Sequence, residues 1–145
     1  SSTVIRGLLA AGEVEAAARL LGRPFELSGR VVHGDQRGRS LGFPTANMQP
    51  APQILIPGKG VYAVKVKVGS RYYNGLCNIG TNPTFVQGPL RVETHILDFD
   101  REIYGKPITT LFLGRLRAEK TFGSAAELVA QMKRDLQQAQ QQYFH

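Results

Sequence analysis

VYAVKVKVGSRYYNGLCNIG, residues 61 to 80, decides the fold. Tyr62, Val64, Val66 and Val68 alternate with Ala63, Lys65 and Lys67, the period of two that marks a half-buried strand. Gly69-Ser70 then reads as a tight turn into a second strand, Arg71–Ile79. Outward from this hairpin, strand-like runs cover Phe25–His33, Val92–Phe99 and Ile108–Arg117. A mainly β chain of about six strands without helical crossovers implies an antiparallel, Greek-key-like barrel. Helical spacing is confined to the two ends. Residues 1–22 read as two short helices broken at Gly12, with Gly22 and Pro24 as the stop. Beyond Phe122, Ser124 and Glu127 form a capping-box pair, and Leu128, Met132, Leu136, Ala139 and Tyr143 make one apolar stripe of a long C-terminal helix.

The chain has 145 residues, 42% hydrophobic and 20% charged, which suits one globular domain with its own core. No apolar run approaches the roughly 18 residues of a membrane span, and the start lacks the charged-then-apolar pattern of a secretory signal. Cys77 is the single cysteine, so no disulfide framework can form within the chain and a cytoplasmic setting is expected. His33, His95 and His145 lie too far apart for a metal-ligand spacing. The net charge of +7 suits nucleic acid, a membrane surface or a phosphorylated small molecule without choosing among them.

The segment Gly34 to Asn47 carries the chemistry. Gly34, Gly38 and Gly42 allow close approach of backbone N–H groups, and Arg37 and Arg39 add positive charge, which together describe a phosphate cradle. It is not a Walker A loop, because the Gly-Lys-Ser/Thr ending is missing. Pro44 pushes Phe43 towards extended geometry. If the chain continues extended, Thr45 and Asn47 present a hydroxyl and an amide carbonyl to one side. Mg²⁺ accepts such hard oxygens and keeps its other positions for water and substrate phosphates. A glycine-rich hairpin tip, with Thr45 and Asn47 satisfying turn backbone groups, fits the same residues.

Four motifs in order resemble the riboflavin kinase family: Gly34 to Asn47 with its Gly-Phe-Pro-Thr-Ala-Asn ending, Asn78 to Phe85, Val92-Glu93-Thr94-His95-Ile96 with Tyr104-Gly105, and Leu116 to Phe122. The resemblance implies transfer of the γ-phosphate of ATP to the ribityl 5′-hydroxyl of riboflavin, giving FMN and ADP, with Mg²⁺ as cofactor. It implies an ATP-binding set of Gly34, Arg37, Gly38, Arg39, Gly42, Thr45, Asn47 and Asn82, with Thr45 and Asn47 also holding the metal. Glu93 would be the catalytic base. On a strand it would share a face with His95, Leu97 and Phe99, at the edge of an apolar pocket where desolvation raises its basicity. His95 receives no chemistry and is expected to be packed or hydrogen-bonded. Arg117, Glu119 and Phe122 would line the flavin slot, Phe122 at the ring and Arg117 at the ribityl-phosphate end.

Ser1-Ser2-Thr3-Val4-Ile5-Arg6 is similar to the motif that closes the nucleotide site of nucleotidyltransferases. In bacterial FAD synthetases an FMN adenylyltransferase module precedes the riboflavin kinase module. Residues 1–22 would then be a helical remnant or linker of that module and 23–145 the kinase domain, which alone would not make FAD. The same serines and threonine would also cap a first helix. Two rivals stay open: a basic barrel binding single-stranded nucleic acid, with Tyr72 and Tyr73 as its stacking pair, and an FMN-binding redox barrel. The kinase reading expects neither nucleic acid nor membrane as a partner.

Overall fold

The computed structural model describes residues 1–33, 44–81 and 90–145. Two helices, α1 (Ser2–Ala10) and α2 (Val14–Leu21), precede the strands β1 (Phe25–Val32), β2 (Ala46–Pro50), β3 (Gly60–Val68), β4 (Arg71–Thr81), β5 (Leu90–Ile96) and β6 (Pro107–Arg117), and α3 (Ala125–Gln142) follows. Every strand pairs antiparallel with its neighbours, in the order β1-β2-β5-β4-β3-β6, and β6 closes the barrel on β1. This is the mainly β barrel expected from the alternation. Gly69 takes φ +61° and Val68 pairs directly with Arg71, so the β3–β4 turn spans two residues, as the sequence requires.

The apolar alternation fills the barrel. Tyr62, Val64, Val66, Cys77, Ile79 and Phe112 form its centre, and Leu9, Val14 and Ala17 of the first two helices join the same cluster. Gly12 and Gly22 both adopt positive φ, which is what breaks α1 from α2 and then ends α2. A second, smaller cluster lies outside the barrel. Ala63 and Leu76 meet Ala139, Leu136 and Tyr143 there, so α3 lies over the outer face of the sheet. The Ser124 hydroxyl caps α3 by accepting from the Glu127 N–H, and Glu127 reaches back to the Gly123 N–H. Tyr143 fills the space above Gly114 and donates its hydroxyl to Glu15 of α2. Among the described residues, no helix is long and apolar enough to cross a membrane.

Two details reposition side chains. The strand predicted over Val92–Phe99 ends at Ile96. The Leu97 N–H still donates to the Asn74 carbonyl, but Asp98 at φ +54° turns the chain. Phe99 therefore leaves the face of Glu93 and His95 and packs edge-on against Tyr73, ring centres 4.8 Å apart. In β6, two register shifts opposite β3 insert one extra residue each, between the partners of Val64 and Ala63 and between those of Tyr62 and Val61. Gly114 and Arg117 thereby face outward, while Arg115 turns to the end of the barrel and donates to the Lys59 carbonyl at 3.1 Å.

Gly29 of β1 has no room for a side chain: a Cβ would overlap the Gln49 carbonyl oxygen and Met48 Sδ of β2. Gly29→Ala should therefore shift β2 and cost about 1–3 kcal/mol of stability in a denaturant titration. An unchanged midpoint would mean that β2 moves freely against β1.

Candidate active site

Register alone assembles the site. Asn47 of β2 lies directly opposite Glu93 of β5, Glu93 opposite Asn78 of β4, Asn78 opposite Val61 of β3, and Val61 opposite Arg117 of β6. Directly opposed residues of an antiparallel pair share a face. Val92, Thr94 and Ile96 point into the core, so this transverse row lies on the outside of the barrel. Strands are spaced about 4.8 Å apart, which sets Asn47 beside Glu93 and puts Arg117 roughly 14 Å further on.

At the Asn47 end the chain enters β2 from Pro44. Asn47 is 9% exposed and Thr45 is half-buried, two positions away on the same strand entry. His95 Nδ1 donates to the Pro44 carbonyl at 2.9 Å, which requires the proton on that nitrogen. The histidine is thus a hydrogen-bonded brace for the segment leading into Thr45, the structural role expected for it. Thr45 and Asn47 also line a cavity of about 350 Å³ at the mouth of the barrel, together with Thr94, Phe99, Arg101 and Tyr104. Tyr104 stacks on His33 at 3.8 Å between ring centres. Thr94 Oγ1 is buried in this wall without a hydrogen-bond partner among the described residues. It stands opposite Cys77 on the next strand. Burial is the main reason that thiol is pushed up to about 12; the Thr94 hydroxyl opposes the rise and the Glu93 charge adds to it. Cys77 stays protonated and inert.

Glu93 has polar neighbours where the sequence suggested an apolar edge. Its side chain is 25% exposed, lies 3.7 Å from the Arg91 guanidinium, and is flanked by Asn47 and Asn78. An ion pair this open to water contributes little to stability.

At the far end, Arg117 is held by α3. Its Nε donates to both Asp135 oxygens at 2.9 and 3.0 Å and its Nη2 donates to Oδ2 at 2.9 Å. The guanidinium also stands 5.7 Å from the centre of the Phe122 ring, with the Lys120 ammonium 5.8 Å from the same ring. The Glu119 carboxylate lies over Gly80 of β4, in the space a Cβ would occupy. Gly80 pairs with Arg91, so Glu119 sits one row from Glu93 on the same face.

Thr45, Asn47, Glu93, Arg117, Glu119 and Phe122 are therefore brought to one outer face and its rim. Gly34, Arg37, Gly38, Arg39, Gly42 and Asn82 lie outside the described residues. Sequence reading passed over Asn78, although it belongs to a quoted motif, and Asp135. The signal for Asp135 was present: an aspartate at a core position of the α3 stripe, between Met132 and Ala139. Tyr72 and Tyr73 do not form a stacking platform, because Tyr73 is turned against Phe99 and accepts a bond from Arg101. Among the described residues no group of three or more His, Cys, Asp or Glu could hold a metal.

The family model of riboflavin kinase (flavokinase) matches residues 21–143. The bifunctional riboflavin kinase/FMN adenylyltransferase of Bacillus subtilis is 44% identical over 142 residues, and that of Escherichia coli K12 is 46% identical over 136. They cover 96% and 93% of this chain, which spans only 45% and 43% of theirs. A crystal structure from Streptococcus pneumoniae described as a macrolide-efflux protein superimposes with a TM-score of 0.90 at 38% identity, covering 99% of this chain and 47% of its own. Riboflavin kinase from Trypanosoma brucei superimposes with a TM-score of 0.56 at 28% identity, over 83% of this chain and 82% of its own.

Gly80→Ala should move the Glu119 carboxylate and leave the barrel in place, since only the flexible end of a side chain has to give way. Stability should change by less than about 1 kcal/mol, while the Glu119 side-chain NMR signal shifts. A larger loss would show that the barrel itself had to adjust.

Proposed function

Because the chain belongs to the riboflavin kinase family, we propose that the outer-face row is where ATP and riboflavin meet, the γ-phosphate passing to the ribityl 5′-hydroxyl to give FMN and ADP. The observation that carries this reading is the register that sets Asn47 beside Glu93, with Arg117 on the same face. The nucleotide occupies the cavity at the barrel mouth, where Phe99 and Tyr104 offer aromatic surface to a base. Its phosphates point towards Thr45 and Asn47. Riboflavin lies across the outside of the sheet, its ribityl hydroxyl at Glu93 and its ring system towards Glu119, Phe122 and Arg117. Arg117 then attends the ring end, three strands from Glu93, instead of the phosphate.

Thr45 and Asn47 fit a magnesium ion, being neutral oxygen ligands on the cavity wall that leave room for phosphate oxygens. Bound there, the ion would offset charge on the phosphates. The chain's own residues do the rest. Asn78 and Asn47 flank Glu93 and orient the hydroxyl. Glu93 accepts the hydroxyl proton as the new O–P bond forms and the bond from the γ-phosphorus to the bridging oxygen breaks, releasing ADP. The family's substrates agree with a cytoplasmic setting. As in the bifunctional relatives, an FMN adenylyltransferase module would precede residues 1–22, which would link it to the kinase domain of 23–145.

Glu93→Gln keeps the size and hydrogen-bonding reach of the side chain and removes its capacity to accept a proton. Single-turnover phosphorylation should fall on the order of 10²–10⁴-fold, with riboflavin affinity within a few-fold by fluorescence titration. Turnover that survives nearly intact would reduce Glu93 to a positioning group. Thr45→Ala and Asn47→Ala should each weaken Mg²⁺-dependent ATP use well before riboflavin binding. Parallel loss of both, with lowered melting temperature, would instead favour the turn role for this pair. Riboflavin-dependent ADP formation by the wild-type chain tests the reading as a whole, and its absence would reject it.

A further inference from the structure

Asp135 is a nearly fully buried carboxylate on a helix that the reaction, as assigned above, does not use. Its side chain is 3% exposed, and a buried carboxylate is costly unless paired. The pairing is thorough. Asp135 takes the Nε and Nη2 donors of Arg117, and Gln131, one turn earlier on α3, donates to Oδ1 at 2.9 Å. Gln131 is itself held by Arg134 at 2.8 Å. Arg117 has five N–H donors in a planar fork. Two go to Asp135 and one, from Nη1, goes to the Ala118 carbonyl at 3.1 Å. Two donors, one on each terminal nitrogen, stay uncommitted among the described residues. The guanidinium plane is thus locked, yet able to meet a planar acceptor.

We infer that Asp135 is a positioning residue for the flavin slot: from α3 it fixes the Arg117 fork beside Phe122, with two donors directed to the heteroatom edge of a planar, uracil-like ring. This rests on the assignment of Arg117, Glu119 and Phe122 to riboflavin. A planar acceptor gains from a fork whose orientation is set before binding, since less rotamer freedom is lost on contact. The inference also gives α3 a second task besides covering the sheet. The residue at the helix position that ought to be apolar is the one that reaches the substrate-binding arginine.

The test is a cycle on the full 145-residue chain, read by riboflavin fluorescence titration so that it does not depend on turnover. Asp135→Asn should weaken riboflavin binding roughly 10- to 100-fold, the scale of a lost charge-assisted hydrogen-bond geometry, and leave the KM for ATP within about threefold. In the Arg117→Met background, Asp135→Leu should cost no further riboflavin affinity, and this apolar pair should fold well, because replacing both partners of a buried ion pair is often neutral. That second comparison keeps the inference open to refutation even if Asp135→Asn does not fold, since a further loss there would mean that Asp135 acts without Arg117. Riboflavin affinity unchanged in folded Asp135→Asn would overturn the inference. So would an equal loss from the Asp135 change with and without Arg117, or a parallel drift of both substrates tracking melting temperature. A wild-type chain that binds riboflavin in the titration but phosphorylates nothing would sink the kinase reading and leave this one standing.

Discussion

β5 is hydrogen-bonded along both edges, to β2 through the Asn47–Glu93 pair and to β4 through the Asn78–Glu93 pair. Because side chains alternate with a period of two, a slip of one residue on either edge would turn Glu93 into the core and bring Thr94 out. The core forbids that slip. Val92, Thr94 and Ile96 are buried among valines and aromatics that have no alternative place. Hydrophobic packing inside the barrel thus fixes which polar groups stand side by side on its outside. The polar row is positioned by side chains that lie wholly inside the barrel.

The barrel and its covers divide the work. The mouth, with its cavity against Thr45 and Asn47, is built from strand ends and the turn around Asp98. The outer face is roofed by the segment after β6 and by α3, whose apolar residues rest on Ala63 and Leu76 and whose one buried acid holds Arg117. Glu93 lies between the two regions, one strand from the mouth and three from the arginine.

Five of the six strands were legible, most clearly where alternation and burial coincide: Tyr62, Val64, Val66 and Val68 are all inside the barrel. The short β2 (Ala46–Pro50) was expected only as an extended continuation after Pro44. The helices were legible from Gly12, Gly22 and the Ser124 cap, each of which does locally what its residue type favours. Boundaries set by long-range pairing were not. Ile96 ends β5 because Asp98 reverses the chain, and an aspartate in that conformation leaves no mark in hydrophobic periodicity. The members of the candidate row were named one by one through motifs, but their order was not legible. That Asn47, Glu93 and Arg117 form one row depends on pairing between strands far apart in sequence. Asn78 reaches Glu93 across the ladder and was missed for the same reason, whereas Arg91 lies two residues back on the same strand, just ahead of the run expected to start at Val92. Asp135 was visible only as an interruption in an apolar stripe.

The two bulges of β6 carry a consequence for how this strand can vary. Each shifts the facing of everything beyond it by one position, and together they cancel, so Arg117 ends on the outer face while Arg115 is spent on the barrel's end. Straightening one bulge without removing a residue would invert inside and outside for the remainder of the strand and carry Arg117 away from α3. Straightening both would restore the facing and bring Arg115 opposite Val61. Deleting an extra residue, Leu113 or Leu116, would instead straighten its bulge and leave the neighbouring pairs as they are. The bulges are thus the places where this strand can lose length one residue at a time, a freedom set by counting and indifferent to which side chains are counted.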